Sequence, residues 1–193
     1  MEHKQLIERL DLIEEMIAAG RRDADHWGWA FALWGVGHLV SLFASRAGYE
    51  VAWPIAMTTC GVVMGIVAVR RRSHKATTLG RALGAVWSGL GVSMFLVGMI
   101  GGISGRVGGT TIVALFFALM GAASFASSLI LRWRSWAFAA LLWWGATVAA
   151  LLLEPEVTFW LFVAMAAVAE VGFGVYLMID ERREETGVEA GRA

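Results

Sequence analysis

The chain has 193 residues, of which 58% are hydrophobic and 17% charged, and its formal net charge is zero. Ordinary globular domains run about 45–50% apolar and about 25% charged, so a mean hydropathy of +0.65 calls for more burial than a soluble core provides. The balanced charge argues against nucleic acid as a partner, and a single cysteine, Cys60, excludes an intrachain disulfide and the usual cysteine-based metal patterns.

Residues 1–26 read as a cytoplasmic amphipathic helix. Leu6, Leu10, Ile13 and Ile17 recur at intervals of four and three residues, which makes one narrow apolar seam. The residues around the seam are more acidic than basic, whereas helices that lie on anionic lipid are rich in Lys and Arg. The seam therefore points to a protein surface: a second copy, another protein, or the chain's own loops. The plain alternative is a solvated helix resting on the bundle. The segment is too acidic and too long for a cleavable signal peptide.

Residues 27–178 then carry six apolar runs: Trp27–Ser45, Val51–Val69, Ala82–Ile103, Thr110–Leu131, Ser135–Leu153 and Thr158–Met178. About 20 apolar residues suffice to cross the hydrocarbon layer as a helix. The expected fold is all-α, a polytopic bundle of six transmembrane helices, followed by a polar cytoplasmic tail over 179–193. Of the 16 Lys and Arg residues, only Arg46 and Arg106 fall on one side when the spans are threaded in order. The positive-inside rule then places both termini in the cytoplasm and suits an inner membrane.

The loops are short. "RAGYE" joins spans one and two, "GGISGRVGG" three and four, "RWR" four and five, and "EPEV" five and six, so sequential spans should be antiparallel neighbours. Only 70–81 is long enough for a loop of some size. Odd spans share a Trp closely followed by Gly ("ALWGVG", "AVWSGLG", "LWWGAT"). That pattern hints at three repeated hairpins, a kind of internal repeat common among transporters. Gly61 and Gly65 offer a GxxxG contact on span two.

The 10 tryptophans fall into two groups. Trp27, Trp29, Trp53, Trp133, Trp136 and Trp160 lie near span ends, where indoles suit the headgroup zone. Trp34, Trp87, Trp143 and Trp144 lie deeper.

Glu170 stands alone as a carboxylate in "FVAMAAVAEVGFGVYLM", roughly 12 Å inside the cytoplasmic boundary. A charged residue at a helix centre costs on the order of 3 kcal/mol to insert, and such residues face the protein interior. Small residues share its helix face. His38 on span one is the other deep ionisable group, and only about 4–5 Å separates the two in depth. A carboxylate beside an imidazole favours the charged form of each, while burial opposes it.

No zinc-protease, nucleophile-elbow or phosphate-loop signature is present, and no haem pair, since His26 lies too far along the helix from His38. The expectation is a non-enzymatic protein without metal or cofactor, an accessory or sensory subunit that makes protein contacts through Leu6, Leu10, Ile13 and Ile17. The alternative is a proton-coupled carrier of small amphiphilic or cationic molecules. Glu170, His38, Trp34, Trp87 and Trp144 would be its ligand and proton site, with Ser88, Thr58, Ser124 and Thr147 on neighbouring faces. The plain reading of Glu170 and His38 is a polar contact that fixes helix register.

Overall fold

The computed structural model describes residues 9, 27–71, 78–101 and 104–180. The expected N-terminal helix with its Leu6–Ile17 seam and the expected tail over 179–193 lie outside the described residues, apart from Arg9, Ile179 and Asp180. The described residues contain helices and no strand. Six helices are long and apolar enough to span a bilayer, so the chain is a multi-pass integral membrane protein.

In chain order the spans are α1 (Gly28–Arg46), α2 (Ala52–Arg71), α3 (Thr78–Phe95, continued by a π-helical turn at Leu96–Gly101), α4 (Gly109–Leu131), α5 (Arg134–Leu152) and α6. The last begins at Pro155–Met165, widens into a π-helix at Ala166–Gly172 and runs on to Asp180. Two boundaries differ from expectation. Span three starts at Thr78 rather than Ala82, which shortens the intervening loop. Span six starts at Pro155, because proline's preset φ and missing N–H suit the first helical position.

Local chemistry explains the turns. After α1 the chain reverses on Gly48 at φ +92°, a conformation open to glycine at little cost. After α4, Arg132 takes the left-handed conformation at φ 49° and donates its N–H to Ser128 O. The N–H of Trp133 donates to the same carbonyl at 3.1 Å. Helix ends commonly close this way, and here the closure folds α5 directly back on α4.

Lipid-facing and inward-facing surfaces are both apolar, so size and polarity mark the inside. Outward lie Val36, Val40, Phe43, Leu129, Phe138, Leu141 and Leu151. Inward lie Ser41, Ser124, Ser127, Thr158, His38 and Glu170, among alanines and a few rings. With no hydrophobic force between helices in lipid, close packing and interhelical hydrogen bonds must hold them. The core is built from α1, α4, α5 and α6, around Leu42, Phe116, Phe117, Met120, Trp143 and Phe162. Half of α4 is buried, against 6% of α2 and 6% of α3; those two helices flank the core.

The backbones of spans one and six come into direct contact. A Cβ on Gly174 would come 2.5 Å from Gly28 O, and one on Gly28 would come 2.7 Å from Gly174 O. The GxxxG expectation for span two is overturned within the chain: Gly61 and Gly65 face outward with nothing within 4 Å of an added Cβ. Two tryptophans assigned to the headgroup zone are also redeployed. Trp136 is buried at 3% exposure in a cluster with Phe31, Trp87 and Phe173. Trp53 packs on the core beside His38.

Candidate functional site: a buried histidine–glutamate pair

On α1, Trp34, His38, Ser41 and Ser45 follow one another at helical spacing and share a face. On α6, Thr158, Phe162, Ala166 and Glu170 are spaced by four residues and do the same. The crossing of the two helices brings these faces together. His38 Nδ1 and Glu170 Oε2 are 2.7 Å apart, joined by a buried hydrogen bond. With the proton on nitrogen, His38 donates and the carboxylate accepts, the short charge-assisted form of the bond.

The pair is closely enclosed. Glu170 is 1% exposed and His38 5%. Ring centroids lie 5.0 Å from the imidazole for Phe116, 5.5 Å for Phe162, and 6.0 Å for both Trp34 and Trp53. These four rings wall in the imidazole on its open sides. Beneath Glu170 the backbone of α1 comes so near that a Cβ on Gly35 would lie 2.8 Å from Glu170 Cβ and 2.9 Å from Val171 N. Cys60 on α2 is buried next to Gly37, with Sγ 3.8 Å from Leu33 O.

Glu170 lies inside the π-helical stretch Ala166–Gly172. Such wide turns are rare and concentrate at functional sites. Phe162 precedes the wide turn and Glu170 lies within it, and both face α1.

The other proposed members of the site are dispersed. Trp34 is beside His38, as described. Trp87 is one layer away, where its Nε1–H donates to Ser127 Oγ at 3.1 Å. Trp144 is 36% exposed and lies over Gly121 and Phe125 on the outer side of α4 and α5. Its neighbour Trp143 takes the inward place, against Phe116 and Phe117. Thr58 and Ser88 face outward, Ser124 is buried, and Thr147 Oγ1 donates to Trp143 O in its own helix.

Sequence reasoning missed Phe116, Phe162 and Trp53. Phe162 was legible, two helical steps of four from Glu170. Nothing local distinguishes Phe116 from its neighbour Phe117, and Trp53 resembles any interfacial indole.

A second ion pair joins the same two helices at their other ends. Arg46 donates two hydrogen bonds to Glu156, at 2.8 and 2.9 Å, and its guanidinium lies 4.8 Å from the Phe159 ring centroid. This pair is exposed and adds little stability by itself, but it marks where α1 ends and α6 begins.

Among the described residues no three His, Cys, Asp or Glu side chains converge on a point that could hold a metal ion. The chemistry available to an imidazole and a carboxyl group in hydrogen-bond contact is proton exchange. No protein-family model, curated protein or solved structure matches this chain.

Proposed function

We propose that this protein is a sensory or accessory subunit of the inner membrane, without enzymatic activity of its own. Its buried His38–Glu170 pair sets how α1 and α6 pack, and its N-terminal helix makes the protein contact. The observation that carries the reading is the place of the pair. It lies on the seam between the first and last spans, the two that lead into the terminal segments. Gly28 at the start of α1 touches Gly174 and lies close to Leu177 and Met178 near the end of α6, so the start of α1 and the end of α6 lie side by side. A change of protonation at the seam reaches them through two packed helices. The skewed arginine distribution supports a cytoplasmic location for that end.

Enclosure favours this reading over a carrier. A carrier needs a cavity that brings substrate to the carboxylate, whereas Glu170 is covered by the backbone at Gly35 and by His38 within its rings.

The test is a chain lacking residues 1–22, compared with the full chain in mild detergent by light scattering and by co-purification. The expected outcome is a lower oligomeric mass or the loss of a co-purifying protein. Unchanged mass together with unchanged partners would refute the contact role.

A further inference from the structure

We infer that protons reach the His38–Glu170 pair from one side only, along a hydroxyl-lined route beside α1, bordered by α2 and α6, that opens at the Arg46–Glu156 end. This rests on the sensory reading above and specifies which compartment the pair responds to.

Two buried hydroxyls carry the argument. Thr158 is 2% exposed, and its Oγ1 has no hydrogen-bond partner; Ser45 Oγ is likewise buried and unpartnered. A buried hydroxyl without a partner is costly, and most such groups in proteins meet ordered water. Thr158 is in the first turn of α6 and Ser45 in the last turn of α1, at the same end of the bundle. Between Ser45 and His38 on α1, Ser41 is fully buried, donates to Gly37 O at 2.8 Å and lies 3.4 Å from Ala52 O at the start of α2. Its oxygen keeps lone pairs free to accept from water. Ser45, Ser41 and His38 thus form a polar ladder roughly 10 Å long, at 1.5 Å rise per residue.

The opposite direction is sealed. Gly35 presses on Glu170 Cβ, the backbones at Gly28 and Gly174 touch, and Phe31 and Phe173 pack edge to face at 5.8 Å. Unpartnered donors do occur at that end, on Trp29, Ser135 and Trp136. Of these, Trp136 packs directly against Phe31 and Phe173. A line of buried hydroxyls on one side and close apolar packing on the other suit a sensor of one compartment, reached by single waters rather than through a substrate-sized cavity. Alternating access would need a route on each side.

Few charged or titratable groups face the pair. From α2 comes Cys60; from α4 and α6 come the rings of Phe116 and Phe162; Arg46 and Glu156 flank the mouth. The step itself is a simple proton transfer: water in the route delivers a proton to the pair and takes it back by the same path.

The test uses the full chain in lipid nanodiscs, where both faces meet solvent. In a Cys60→Ala background, single cysteines at Ser45, Ser41 and Thr158 should react with a membrane-impermeant thiosulfonate ammonium reagent, while cysteines at Phe31 and Phe173 should not. In parallel, the Glu170 carboxyl infrared band, assigned by its loss in E170Q, is followed after a pH jump over about pH 5–8. Thr158→Val with Ser45→Ala should slow its response severalfold, and Phe31→Leu should leave the rate unchanged. A band that shifts with pH while labelling and slowing map to Phe31 and Phe173 would overturn the route and spare the sensor. A band that never shifts would overturn both.

Discussion

Gly35 shows how one missing side chain positions a functional one. Its bare Cα lets α1 lie against Glu170 Cβ and Val171 N, which brings His38, one turn further on, to within 2.7 Å of the carboxylate. Gly35→Ala should therefore push the helices apart and destabilise the protein by about 1–3 kcal/mol, as overpacking of a tight contact does. Gly65→Ala, which meets no neighbour, should be neutral or stabilising by up to about 1 kcal/mol through helix propensity. Thermal unfolding in detergent compares the two directly, and equal losses would contradict this account of the seam. Composition alone treats these glycines alike. What separates them is the partner across the contact.

At the scale of an element, the π-helical stretch of α6 matters most. A regular helix advances about 100° per residue, so removing one residue normally rotates everything beyond it out of register. A π turn already holds an extra residue and can release it by tightening. Deleting the exposed Ala167 should thus leave Phe162 and Glu170 both facing α1 and cost little. Deleting Val148, also exposed but in the regular α5, should be strongly destabilising. Melting curves of the two deletions make the comparison, and a large loss for both would show that the wide turn has no such tolerance. The existence of span six was plain from its apolar run, whereas its π turn was not. Hydropathy counts residues along a helix and is blind to how many fill each turn.

For the whole molecule, the unequal burial of the spans predicts unequal stability. With half of α4 buried and 6% of each of α2 and α3, local opening should be easiest in the flanking helices. Amide hydrogen exchange in detergent should protect α4 most and release α2 and α3 first; uniform protection would contradict a core built from α1, α4, α5 and α6. This division could not be read from hydropathy, because all six spans are apolar enough to cross the bilayer. Nor could the fate of the deep tryptophans: Trp143 and Trp144 are adjacent, yet one is buried and the other lies outward over Gly121.

By itself the sequence determined the all-helical class, the count of spans and their near limits, and the inward aim of Glu170. Each of these follows from the cost of exposing backbone or charge to hydrocarbon, a cost local to the segment that bears it. Only the tertiary structure decided that α6 lies against α1, that four rings close around His38, and that the buried hydroxyls of Ser45 and Thr158 are left without partners. Those depend on residues far apart in the chain meeting across helices, and apolar composition is the same whether a face meets lipid or another helix.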